Sequence, residues 1–232
     1  ATFSPHVALL IPDGARRVLD VGCGAGLFLE QLRADRRDGR PDQHMLLRVE
    51  GVEPDPVAAA AATQRLDAVY EGVLDEAIAA QLPDAAYDVI VLSDVLEHAV
   101  APDRLLALLA PKLAPPHGRF AVSIPNMRFW SEFARPYLDG SWDYAPHGVR
   151  DRTHLRWYTL ASFLAMAAAC CDLVVPDDTP PLRVHFGDDH KLPVDLAHAL
   201  APIVGQNEAA ALYDESDVRQ FLVALVPRRT TT

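Results

Sequence analysis

A chain of 232 residues, half of them hydrophobic and 23% charged, has the length for one large α/β domain and not for two, and its composition disfavours disorder. A formal net charge of −11, with no Lys/Arg run exceeding two residues, argues against nucleic acid or an anionic membrane surface and leaves a small molecule or a glycan as partner. Three cysteines without a CxxC pair, no basic leader before an apolar core and no run near the ~18 apolar residues of a span point to a reducing, cytoplasmic compartment.

Pro5–Leu10 reads as a short helical lead-in that covers the ligand, closed by the turn Pro12-Asp13-Gly14. An apolar run ending in Val18-Leu19-Asp20-Val21 then reads as a buried parallel strand, Gly22-Cys23-Gly24-Ala25-Gly26 as a turn, and residues 27–33 as a helix. Without Cβ atoms, Gly22, Gly24 and Gly26 let a nucleotide-like ligand approach the backbone. Asp20 would repel a pyrophosphate and suits a ligand carrying an ammonium group. This Asp20-x-Gly22-x-Gly24-x-Gly26 stretch resembles the first motif of the class I S-adenosylmethionine-dependent methyltransferases. The resemblance implies a Rossmann-like, doubly wound α/β domain spanning 1–232, with a seven-stranded sheet whose last strand is antiparallel.

Residues 34–43 are polar and read as an exposed insertion before a second strand at 46–52. An acid at the tip of that strand reaches ribose hydroxyls, which selects Glu53, beside Pro54; Glu50 is its competitor if the register is shifted. A helix at 58–65 and a short third strand from Ala68 follow. In the methyltransferases the loop after that strand flanks the adenine, which implies contacts from Val73 and Leu74. The resemblance thus implies a cofactor set of Asp20, Gly22, Cys23, Gly24, Gly26, Glu53, Pro54, Val73, Leu74 and Ser93 around S-adenosylmethionine.

The fourth strand, 87–92, runs into Ser93-Asp94-Val95-Leu96-Glu97-His98, which resembles the post-strand motif of the branch that includes the ubiquinone-pathway O-methyltransferases. If the chain turns helical after Ser93, Asp94, Glu97 and His98 share one face as an acid/base or hard-metal cluster. Helix 102–113 and strand 118–124 lead to Asn126. Residues 126–159 then break the βα rhythm with all three tryptophans, reading as a lid or substrate segment, or as a satellite core. Asn126, Phe129, Trp130, Tyr137, Trp142 and Tyr144 are its candidate substrate contacts.

Asp151-Arg152-Thr153-His154-Leu155-Arg156 resembles a signature in one bacterial branch of the class I methyltransferases. A hydroxyl acceptor must lose a proton, and His154, with His98 and Asp151, is the catalytic candidate. Relatives that place a histidine and carboxylates around Mg²⁺ imply a second role, in which Asp94, Glu97, His98 and His154 hold the ion. Thr159 caps a helix at 160–169. A sixth strand at 172–175 precedes an insertion at 176–218 with helices near 192–200 and 208–213, and a last strand spans 220–226. His185, Asp189 and His190 read as a solvated turn. The expected activity is methylation of a hydroxyl on a small molecule or glycan; the alternatives are N- or C-methylation and a binding protein without chemistry.

Overall fold

In the computed structural model, which describes residues 5–39, 47–185 and 191–228, the apolar runs become one mixed sheet of eight strands. They are β1 (Arg17–Val21), β2 (Arg48–Glu53), β3 (Ala68–Glu71), β4 (Val89–Ser93), β5 (Arg119–Pro125), β6 (Leu173–Val174), β7 (Leu182–His185) and β8 (Val218–Pro227). The first five lie parallel in the order β3-β2-β1-β4-β5, and β8 runs antiparallel beside β5. Strands covered on both faces need unbroken apolar runs, and Val89, Ile90, Val91 and Leu92 are all fully buried.

The count of seven strands is corrected to eight. Leu222 of β8 pairs with Ser123 on one edge and Leu182 on the other, while Val226 and Pro227 pair with Val174 and Leu173. Thus β6 and β7 occupy successive lengths of the same edge of β8. The alternation Leu182-Arg183-Val184-His185 is a strand signal, and four residues after Pro180-Pro181 make it a short one.

Helices cover both faces. Against one face, Leu29 and Leu32 of α1 (Leu27–Gly39) and Ala62 of α2 (Pro56–Ala62) pack with Val18, Val49, Val89 and Val91. Against the other lie α3 (Glu76–Ala79), α4 (Pro102–Leu109) and α6 (Leu160–Cys171), with Ile78, Leu106, Leu109 and Phe163 around Leu19, Ile90 and Phe120. Between β5 and α6 stands α5 (Trp130–Asp139), and α7 (Val194–Val204) and α8 (Gln206–Glu215) precede β8. Thr159 and Ser162 form the reciprocal cap that starts α6.

Two further expectations change. The 3-10 turn Pro5–Leu10, expected over the ligand, packs Val7 and Leu10 among residues of β5 and β8, on the face of the sheet. Residues 34–39 continue α1, where Arg36 donates to the carbonyls of Ala15, Ile11 and Pro12; the remainder of the expected insertion lies outside the described residues.

A fully buried carboxylate sits in the middle of β2. Glu50 Oε1 accepts from Arg17 Nη2 at 2.7 Å and from Arg48, and Oε2 accepts from the Tyr87 hydroxyl at 2.6 Å. Burial pushes its pKa up, but the bonds from Arg48 and Tyr87 hold it below the usual range. Glu50 is therefore tied into the sheet, and the competitor for the strand-tip role is removed. Gly51 is a packing requirement: a Cβ there would overlap the Cys23 side chain and lie 2.9 Å from Leu66 Cδ1. Gly51→Ala is expected to destabilise the fold by about 1–3 kcal/mol, as overpacked cores do. Urea unfolding checks this; an unchanged midpoint would show that Cys23 and Leu66 yield freely.

Candidate functional site

The carboxyl ends of β1, β2, β4 and β5 put Val21, Glu53, Ser93 and Pro125 along one edge, where a doubly wound sheet binds ligands. At β1 the chain bends through Gly22, Gly24 and Gly26, with φ of +77°, +54° and +78°. Glycine adopts these angles without the steric cost that a Cβ brings. Gly22 N and Cys23 N both donate to Val52 O, at 2.8 and 3.1 Å, which docks the bend on β2. Glu53 completes the joint: Oε2 accepts from Gly24 N at 2.7 Å and Oε1 from Asp55 N at 2.9 Å.

Asp20 lies beneath the bend at 5% exposure. Burial, and then the like charge of Glu53, push its pKa up to about 8. The carboxyl thus sits where a cation would relieve it. No Cβ contact would arise at Gly24 within 4 Å, so the bend faces open space there. The Cys23 thiol is buried against Gly51, and burial pushes its pKa up to about 12. Pro54 and Val73 are exposed, Leu74 is partly buried, and Ser93 Oγ lies 3.2 Å from Ser123 Oγ.

The expected face of Asp94, Glu97 and His98 does not form. Asp94 takes the left-handed conformation, φ +54°, and only Leu96–His98 coils, as one 3-10 turn. Aspartate tolerates that conformation better than most residues. Its carboxylate turns to Ser123 Oγ at 2.9 Å and to the Gln220 amide. What assembles instead is Glu97, His98 and His154, with one donor atom of each within 4.8 Å of the others. The two imidazoles meet edge to face, centroids 4.8 Å apart.

Residues 149–156 form a strap that is stitched to residues 97–100. Leu155 N and Arg156 N donate to Glu97 O at 2.7 and 3.1 Å, and Arg156 Nη2 donates to Val100 O at 2.6 Å. His98 Nδ1 lies 3.2 Å from Thr153 O, and His154 Nδ1 lies 2.9 Å from Val149 O. A carbonyl only accepts, so both Nδ1 atoms carry a proton, and in the neutral form of either ring the lone pair lies on Nε2. Glu97 is 1% exposed and neither carboxylate oxygen has a hydrogen-bond partner among the described residues. Burial, and next the charge of Asp94, push its pKa up to about 8.

These geometries revise the expected roles. His154 is buried at 7% exposure and His98 is the exposed member of the cluster. Asp151 contributes no atom to the cluster: its Oδ1 accepts from Thr153 N at 2.8 Å and Thr153 Oγ1 at 2.6 Å, which hold its carboxyl below the usual range. The Mg²⁺ site does not fit, because Mg²⁺ takes oxygen ligands in a near-ideal octahedron and Asp94 has turned away, leaving two imidazoles and one carboxylate.

The aromatic segment divides. Asn126 is fully buried, with Nδ2 donating to Glu215 O and Val218 O and Oδ1 accepting from Arg128 N, so it offers nothing to a substrate. Phe129 is buried, Trp130 is partly buried, and the side chain of Tyr137 lies outside the described residues. Trp142 and Tyr144 are exposed and line a cleft of about 290 Å³ with Met127, Asp143, Arg150 and Trp157. Sequence reasoning missed Trp157 and Met127 as cleft walls, although the strap motif runs directly into Trp157. His185 bonds Asp217 Oδ2 through Nδ1 at 3.0 Å, and Asp189 and His190 lie outside the described residues. No helix among the described residues is long and apolar enough to cross a membrane.

A methyltransferase domain family model matches residues 4–169. A ubiquinone biosynthesis O-methyltransferase of Bradyrhizobium diazoefficiens is 32% identical over 198 residues, covering 84% of this chain and 72% of that protein. Its counterpart of Aeromonas salmonicida is 34% identical over 112 residues, and the match covers 48% of this chain and less than half, 44%, of that relative's length. An S-adenosylmethionine-dependent methyltransferase structure from Archaeoglobus fulgidus superposes with a TM-score of 0.61 at 17% identity, covering 94% of this chain and 89% of that one.

An ionisation test follows from Glu97. Its pKa is raised from 4.5 to about 8, so the folded state holds a proton that the unfolded state releases, and stability falls as pH rises between those values. Glu97→Gln is expected to stabilise the protein by about 1–3 kcal/mol at pH 8.5 and far less at pH 4.5. Denaturant unfolding at the two pH values checks it; an equal effect at both would place the carboxyl in water.

Proposed function

The chain belongs to the class I S-adenosylmethionine-dependent methyltransferases, and on that premise we propose that it methylates a hydroxyl oxygen of a small-molecule or glycan acceptor. The observation that carries this is the cluster of His98, His154 and Glu97, in which the strap holds each imidazole by Nδ1 and so makes Nε2 the accepting atom of the neutral ring. The O-methyltransferase names of the relatives support an oxygen acceptor.

The residues at the bend fit the cofactor: the open space at Gly24 and the buried Asp20 carboxyl, raised by burial and by the like charge of Glu53, suit a nucleoside with an ammonium tail. Asp20 would meet that ammonium, and Glu53 would exchange Gly24 N–H for ribose hydroxyls. The Gly22–Gly26 backbone, Val73, Leu74 and Ser93 would line the remainder. When bound, S-adenosylmethionine supplies a sulfonium methyl that passes in line to the acceptor oxygen as the S–CH₃ bond breaks, leaving S-adenosylhomocysteine. Trp142, Tyr144, Trp157 and Met127 wall the acceptor's side of the reaction. His98, the exposed imidazole, takes the hydroxyl proton on Nε2, while His154 packs its edge and Glu97 supplies a carboxyl beside the imidazolium that forms. A reducing, cytoplasmic location accords with three free thiols.

Transfer of labelled methyl from S-adenosylmethionine to a panel of phenols, methyl glycosides and amines tests the reading. Phenols or glycosides are expected to accept, and His98→Gln to lower turnover by about 100-fold with cofactor affinity unchanged. Transfer to amines alone, no transfer at all, or full turnover by His98→Gln would contradict it.

The cofactor site makes its own prediction. With the Asp20 pKa near 8, the carboxyl is mostly neutral at pH 6.5, and an ammonium ligand must ionise it. Affinity for S-adenosylhomocysteine by calorimetry should therefore climb from pH 6 to 8, by up to about tenfold per pH unit. Asp20→Asn should bind weakly and without that slope. A flat profile in the parent protein would remove Asp20 from the ammonium.

A further inference from the structure

The strap motif begins at a residue that supplies no ligand atom to the cluster, yet its geometry reaches the proposed base. We propose that Asp151 is a positioning residue that sets the tautomer and orientation of His98 through a single peptide group, an inference that rests on the reading of His98 as proton acceptor.

The peptide in question joins Thr153 to His154. Its carbonyl, Thr153 O, is the partner of His98 Nδ1 at 3.2 Å, and its N–H, on His154, donates to Asp151 O at 3.0 Å. Asp151 therefore holds the far end of the same peptide dipole that holds His98. The carboxylate of Asp151 fixes the preceding residue as well, since Oδ1 accepts from both Thr153 N and Thr153 Oγ1. Asp151 is itself anchored by its N–H to Gly148 O at 3.1 Å and by the bridge between residues 145 and 151. With these bonds in place the Thr153 carbonyl points toward His98.

The consequence is chemical. While Thr153 O accepts from Nδ1–H, the neutral imidazole keeps its lone pair on Nε2, the atom that would receive a hydroxyl proton. If the peptide swings, His98 is free to adopt the other tautomer, with Nε2 protonated and unable to act as base. Partners one step removed from a reactive imidazole typically change its performance by about 10–100-fold. The sequence motif thus reads as a device: Asp151 for the turn, Thr153 for the carbonyl, His154 for the second ring, and Leu155 and Arg156 for the bonds to Glu97. Arg156 closes the motif by donating to the Val100 and Leu155 carbonyls.

The test compares Asp151→Ala, which deletes the carboxylate, with Asp151→Asn, whose amide oxygen still accepts from Thr153. Nitrogen-15 NMR of the ring-labelled full chain reads the tautomer directly, with His98→Gln assigning the signal. The parent protein and Asp151→Asn are expected to show Nδ1–H with Nε2 unprotonated, and Asp151→Ala a mixture. Thr153→Val, which removes one of the two carboxylate bonds and spares the fold, is expected to shift the signal part of the way and serves if Asp151→Ala does not fold. An unchanged His98 signal in both Asp151→Ala and Thr153→Val overturns the proposal. So does an equal shift in Asp151→Asn and Asp151→Ala, which would assign the effect to charge. A tautomer shift with undiminished methyl transfer supports the positioning role and removes His98 from the base role, so the two readings fail separately.

Discussion

Everything at the ligand edge depends on one carbonyl. Val52 O, near the end of a buried parallel strand, accepts from both Gly22 N and Cys23 N, and that pair of bonds folds the glycine bend onto the neighbouring strand. Without it Glu53 could not reach Gly24 N–H, and Asp20 would not lie beside a second acid. The packing beneath is equally exacting: Gly51 has no side chain because the Cys23 thiol occupies the place where one would begin. A small set of backbone bonds and one missing Cβ thereby fix the strand-turn-helix at the ligand edge.

Three buried carboxyls show how partners separate structure from chemistry. Glu50 is as buried as any residue in the chain, and two guanidinium groups and a phenol satisfy it, so its pKa is low and its task is to hold β2 in place. Asp20 and Glu97 are buried beside another acid, Glu53 and Asp94 respectively, and both have pKa values pushed up to about 8, by burial first. Acids left in that condition are costly, and they cluster where ligands or protons are handled. Both stand at the carboxyl edge, one beside the bend and one beside the imidazoles.

Much of this was legible in the sequence, for physical reasons that also mark the limits. Apolar runs at 18–21 and 89–92 could only be strands covered on both faces, and an acid at the end of β2 could only sit at the rim, so the sheet and Glu53 followed from pattern. Asp94 did not, because counting three and four residues along assumes a helix that its left-handed backbone prevents. Asn126 looked like a rim residue by position, yet its amide closes bonds to Glu215 O and Val218 O, carbonyls some 90 residues later that no local pattern reveals. The helix α5 was hidden by Pro136 in its interior and by aromatic residues that suit a loop as well as a helix. The division of labour between His98 and His154 lay in exposure and in carbonyl partners, which are tertiary facts.

The most direct measurement is a crystal structure of the protein with S-adenosylhomocysteine bound. The account predicts the nucleoside on the Gly22–Gly26 bend, the Glu53 carboxylate moved from Gly24 N–H to the ribose hydroxyls, the ammonium against Asp20, and the sulfur facing the side of the site that holds His98. A ligand bound elsewhere, with the Gly24 to Glu53 hydrogen bond intact, would contradict it.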